Sequence, residues 1–311
     1  MIDVLNISIP FFALIFLGFI AHAFRFIDVT GAQTMSKFAF YITLPPFMFL
    51  KISASDPASI LNWGFVWRYE TSTIIIFLAA ALLAKLLFKL EQLESGIFGL
   101  NVAYPNYGYM GIPLAILAFG DEAALPMALI LFADTIVLLT LTACFVASNE
   151  IAPLKAVRRI SITMITNPLL LAVVFGLLFS ISGMILPQIP RQFGNLLAGA
   201  AAPVALFALG ATLFGQPVRA AAAEVSTISI LKLILHPLLV SMFFIALPGQ
   251  NPLWVKVAIM SSSLPVAANV FMLANHYGAY TGRSASAILV STTLASITVP
   301  IFLFWLFYGY G

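Results

Sequence analysis

Uninterrupted apolar stretches of about 20 residues recur from one end of this chain to the other, and each is long enough to cross a bilayer. Of 311 residues, 62% are hydrophobic and 8% charged. Soluble domains carry about 25% charged residues, so this chain cannot cover its own surface in water and lipid must be its solvent. Hydropathy and helix breakers place ten spans at about 5–25, 35–52, 64–88, 95–118, 122–147, 162–184, 192–214, 226–247, 253–275 and 282–308. The expected fold is therefore all-α and integral to the membrane, with about ten transmembrane helices. The apolar run over 7–20 is followed by Ala21-His22-Ala23, which resembles a signal-peptidase site. Asp3 stands where a signal peptide carries positive charge, so the segment reads as a retained helix.

The largest polar stretch runs from Ser148 to Ser161 and contains Lys155, Arg158 and Arg159. It divides the chain into a first five-helix half over 1–148, a short cytoplasmic linker over 149–161 and a second half over 162–311. Basic residues near helix ends give an orientation. With the N-terminus outside, nine of them face the cytoplasm (Arg25, Lys37, Lys85, Lys89, Lys155, Arg158, Arg159, Arg219 and Arg283) and four face outward (Lys51, Arg68, Arg191 and Lys256). An even number of helices then puts both termini outside.

The two halves look like copies. Pro10 and Pro168 are 158 residues apart, as are Pro45 and Pro203, and Pro105 and Pro265 are 160 apart. Gly18 and Gly176 each follow the first pair by eight residues, and Gly120 and Gly278 are again 158 apart. Five helices is an odd number, so the second copy enters the membrane from the opposite side and the repeat is inverted. Pro10 and Pro168 read as simple kinks. Pro105 and Pro265 do not, because their surroundings, NVAYPNYGYMGIP (101–113) and SSSLPVAANVFMLANHYG (261–278), are rich in small and amide residues. Two helices broken there would place half-helix ends at the bilayer midplane. Their N-terminal ends carry free N–H groups and positive partial charge, which is an anion site that needs no Arg or Lys.

At these residues the chain resembles the auxin efflux carrier family, which includes the plant PIN auxin exporters and bacterial malonate- or auxin-carrier-like proteins. Asn101, Pro105, Asn106, Met110, Gly111, Ile112 and Pro113 are similar to that family's N-x-x-x-P-N-x-x-x-M-G-I-P stretch. Leu264-Pro265, with Phe271, Ala274 and Tyr277, is similar to its second crossover. The resemblance implies ten helices in two inverted repeats, with helices 4 and 9 crossing at their prolines and a scaffold part and a transport part that move relative to each other. It implies small carboxylate substrates beside Asn106, and it makes a homodimer an expectation that no motif in the chain specifies. The long cytosolic loop of plant members is here only about a dozen residues, so regulation by loop phosphorylation is not expected.

Asn106 is a candidate substrate contact or a cap for the restarted half-helix. Asn101 and Asn269 suit a substrate contact or interhelical hydrogen bonding, and Ser261, Ser262 and Ser263 suit packing, with Ser263 the candidate at the site. Asp134 reads as the only acid near the middle of a span, suited to proton coupling or electrostatic support, or to a structural pairing with Lys232. Lys232 and His236 stand four residues apart on one helix face, where they could meet a substrate carboxylate or Asp134. Lys232 could instead snorkel to the cytoplasmic edge.

The other function classes fit poorly. The chain has no H-E-x-x-H, G-x-S-x-G, P-loop or G-x-G-x-x-G, so neither an enzyme nor a cofactor is expected. Cys144, the only cysteine, allows no intrachain disulfide and no cysteine-based metal site. The net charge of +3 is scattered, which argues against nucleic acid as a partner. What the sequence supports is a secondary transporter of mono- or dicarboxylates in the cell membrane. The rivals are an anion channel or an ion-coupled carrier of another substrate class.

Overall fold

The computed structural model describes residues 2–56, 62–147, 162, 165–216 and 221–310. The expected linker with Lys155, Arg158 and Arg159 lies outside the described residues, as does Arg219. Fourteen α-helices occur among the described residues: α1 (Ile2–Ala23), α2 (Val29–Phe38), α3 (Leu44–Ser53), α4 (Trp63–Leu87), α5 (Gln92–Ala103), α6 (Ile112–Phe119), α7 (Ala124–Ala147), α8 (Pro168–Ser182), α9 (Gln188–Leu213), α10 (Ala222–Ile230), α11 (His236–Ala246), α12 (Pro252–Ser262), α13 (Ala268–His276) and α14 (Thr281–Tyr308). No strand occurs among the described residues; the sole β feature there is one antiparallel bridge, Pro105 to Val266.

Among the described residues, six helical runs are long and apolar enough to cross a membrane: Ile2–Ala23, Trp63–Leu87, Asp121–Phe145, Gln188–Leu213, Ala222–Ala246 and Thr281–Tyr308. The other expected spans are also helical, but they are short or interrupted. Proline chemistry accounts for the interruptions. Three π-helical turns, Ala39–Thr43, Tyr107–Gly111 and Leu231–Leu235, each end two residues before a proline, namely Pro45, Pro113 and Pro237. Proline offers no N–H, and its ring crowds the carbonyl four residues back, so the preceding turn widens instead of breaking.

Pro168 departs from the expected kink. It is the first residue of α8, and the Asn167 side chain accepts from the N–H groups of Leu169 (3.0 Å) and Leu170 (3.3 Å). That is an N-cap followed by proline, where the missing donor costs nothing. Pro10, by contrast, lies inside α1.

The chain divides into two compact units, each built from segments of both halves of the sequence. One holds Met1–Asn62, Tyr107–Phe132 and Met164–Gly215; the other holds Trp63–Asn106, Ala133–Thr163 and Gln216–Gly311. In the first unit α1 lies against α9 backbone to backbone. A Cβ on Gly18 would come within 2.0 Å of the Phe207 carbonyl oxygen, and one on Gly210 within 1.8 Å of the Ile15 carbonyl oxygen. Gly176, on α8, packs against Ile52 of α3. Both glycines of the Gly18/Gly176 pair thus serve close helix approach.

In the second unit α4 meets α5 at Gly99, where a Cβ would sit 2.8 Å from the Phe77 carbonyl oxygen. Phe65 meets Trp254 edge-on, with centroids 4.9 Å apart, and Phe244 at a tilt, with centroids 5.6 Å apart. The first turns of α5, α10 and α14 are tied together. Arg283 pairs with Glu94 (3.6 Å) and Glu224 (3.3 Å), and the Tyr280 hydroxyl donates to Glu224 (2.5 Å). Burial, reinforced by the bond to Glu224, pushes the Tyr280 phenol above its ordinary value.

Candidate functional site

The second unit contains both proline breaks expected from the sequence. A residue preceding proline is driven out of the helical region, and Tyr104, before Pro105, is extended (φ −93°, ψ 103°). α5 therefore stops at Ala103, and α12 stops at Ser262, just before Leu264-Pro265. The two extended segments pair with each other. The Asn106 N–H donates to the Pro265 carbonyl (2.9 Å), the Ala267 N–H donates to the Tyr104 carbonyl (3.0 Å), and Pro105 and Val266 form the bridge. The Val266 N–H donates to the Ser291 hydroxyl (3.1 Å). Backbone groups released by the prolines are satisfied by one another and by one side chain, as an apolar setting requires. After the second break α13 restarts at Ala268 without a side-chain cap; the Val270 N–H donates to the Ala267 carbonyl (3.0 Å), and the two N–H groups before it have no intrahelical partner.

Asn106 is 2% exposed, and its side-chain nitrogen has no hydrogen-bond partner among the described residues. Buried amide donors are nearly always satisfied, so this one is a donor awaiting an acceptor. Asn101 is different. Its side-chain nitrogen donates to the Ile97 carbonyl (2.8 Å) and to the Ser284 hydroxyl (2.9 Å), which ties α5 to α14. Ser263 donates to the Met260 carbonyl (2.7 Å), a local helix-end bond. The Tyr104 hydroxyl is hydrogen-bonded to Thr135 and to the half-buried Asn269.

A second polar group lies in the same unit. Lys232 is fully buried and does not reach outward to a membrane edge. Its amine donates to the Ser262 carbonyl (2.8 Å) and contacts His236 Nδ1 (3.0 Å). Asp134 is also fully buried and within electrostatic range of Lys232. It is not the only buried acid, because the Glu70 carboxyl, from α4, meets that of Asp134. Glu70 stands near the start of its helix, so position in the hydropathy profile does not mark it. The usable signal is periodicity: Glu70, Thr73, Phe77, Ala80 and Ala84 follow helical spacing and are all buried.

Apolar helices long enough to cross a membrane and two mutually bridged helix breaks define a helical membrane protein. The chain belongs to the membrane transport protein family, whose model matches residues 4–303; this is the auxin-efflux-carrier-like family that the first proline motif resembles. It is a multi-pass membrane protein of a family of transporters, not enzymes. A protein of Rhizobium meliloti (strain 1021), provisionally named a malonate transporter, is 31% identical over 308 residues, covering 96% of this chain and 94% of that one. An uncharacterized transporter of Methanothermobacter thermautotrophicus is 26% identical over 93% of each chain. The uncharacterized transporter YfdV of Escherichia coli K12 is 19% identical over 95% of each.

Proposed function

We propose that this protein is a secondary transporter of small organic anions, mono- or dicarboxylates such as malonate, working by alternating access in the cytoplasmic membrane. The proposed architecture is ten spans in two inverted repeats, with the broken helices α5–α6 and α12–α13 crossing at mid-membrane. The proline and glycine offsets support it, and so does the positive φ at both Gly120 (+80°) and Gly278 (+65°), which follow the half-helices after each break. The observation that carries the functional reading is the buried, unpartnered side-chain nitrogen of Asn106, beside the uncapped start of α13. A carboxylate there receives an amide N–H together with helix N-terminal N–H groups. The name of the Rhizobium relative supports a dicarboxylate in particular.

The test is uptake of labelled malonate and monocarboxylates by proteoliposomes. Saturable uptake, accelerated by unlabelled substrate on the other side, is expected; uptake that does not saturate would indicate a channel instead. Asn106→Ala should weaken binding by about 1–3 kcal/mol, roughly 5- to 150-fold, with melting temperature little changed. Asn106→Asp should bind an anion more weakly still, because it adds like charge. If both variants bind as the wild type does, the substrate does not sit at this crossing.

A further inference from the structure

The α12 helix ends at the second break, and the last carbonyls of a helix carry about half a negative charge with no N–H partners of their own. Here the Ile259 and Met260 carbonyls accept from the Ser263 N–H, and the Ser261 carbonyl accepts from the Leu264 N–H. The Ser262 carbonyl is taken by the Lys232 amine at 2.8 Å. Three residues further on, the Pro265 carbonyl receives the Asn106 N–H. An anion at Asn106 thus approaches the negative pole of a half-helix, and Lys232 sits on that pole.

We infer that Lys232, tethered by His236, is a specificity-determining residue that offsets the negative pole of α12 at the second break and so sets the preference for anions of higher charge. A helix end contributes roughly half a negative charge, and an ammonium bonded to its carbonyl counters it. The π turn Leu231–Leu235 carries Lys232, and Pro237 imposes that turn. The His236 ring, fully buried, holds the amine at 3.0 Å through Nδ1. Asp134 lies in electrostatic range of the same amine and reduces the charge it presents.

The inference rests on the carboxylate-carrier reading above, and the experiment separates the two. Uptake of malonate, a dianion, and of its monomethyl ester, a monoanion, is measured in proteoliposomes of wild type, Lys232→Met, Lys232→Arg and His236→Gln. A charge near the site acts on a dianion about twice as strongly as on a monoanion. Lys232→Met should raise KM for malonate about tenfold or more, and KM for the monoester less, so that the preference between them shrinks. Lys232→Arg keeps the charge and should restore the preference. His236→Gln should raise the malonate KM roughly two- to fivefold by loosening the amine. A role limited to holding the helix end would lower the melting temperature and maximal rate of Lys232→Met and leave the preference unchanged, and that result overturns the inference. Should Lys232→Met fail to fold, an unchanged preference in His236→Gln overturns it equally. Absence of uptake of either compound by the wild type would defeat the carrier reading, and this inference with it.

Discussion

At the scale of single residues, the paired carboxyls of Glu70 and Asp134 are the feature that distance along the chain hides. They are 64 positions apart, on α4 and α7, and each looks like an isolated acid in an apolar helix. Their carboxyls act on each other directly, so a change at either alters the charge that the other meets. Tyr104 and Lys232 are the titratable neighbours within electrostatic range of Asp134, and His236 lies beside Lys232. If proton exchange at this pair is part of the transport cycle, an amide at either position disables the same unit. Glu70→Gln and Asp134→Asn should therefore flatten the pH dependence of uptake alike, with folding largely intact. Wild-type pH profiles in both variants would assign the pair a purely structural role. The site residues named from the sequence divide in the same way. The Asn106 side-chain nitrogen has no partner among the described residues, whereas that of Asn101 donates to Ser284, on a helix 183 residues away that no local pattern could supply.

At the scale of elements, small residues fix how closely helices pack. Gly210 and Gly199 both lie in α9 and look equivalent in sequence. A Cβ on Gly210 would overlap the Ile15 backbone, while one on Gly199 meets nothing within 4 Å. Gly210→Ala should lower thermal stability by about 1–3 kcal/mol through overpacking against a backbone that cannot rotate away. Gly199→Ala should be neutral or stabilising by up to about 1 kcal/mol, because alanine favours the helix. Melting curves of the two purified variants check this, and equal melting temperatures would show that α1 and α9 are not in backbone contact. The π turns belong to this scale as well. Each is dictated by a proline two residues beyond its end, a rule visible in the sequence once the structure has shown where to look.

At the scale of the whole molecule, the basic-residue asymmetry of nine against four predicts that both termini face outward. Cys144 is exposed and must first be removed, so the test uses Tyr310→Cys in a Cys144→Ala background. A membrane-impermeant thiol reagent should label position 310 from outside. Labelling only from the cytoplasmic side would overturn the orientation and invert every loop assignment made from it.

Hydropathy alone was enough to establish a lipid-embedded helical chain, because a polypeptide with so little polar surface has no other solvent. Proline positions were enough to locate both breaks, since the missing N–H acts on the residues immediately around it. Pairing was legible at neither scale. That Tyr104 and Asn106 bond Ala267 and Pro265, that Lys232 takes the Ser262 carbonyl and that Glu70 meets Asp134 all depend on which helices lie side by side. Helix neighbours are chosen by close packing at positions such as Gly99 and by mutual satisfaction of buried polar groups, and both are properties of the assembled tertiary structure.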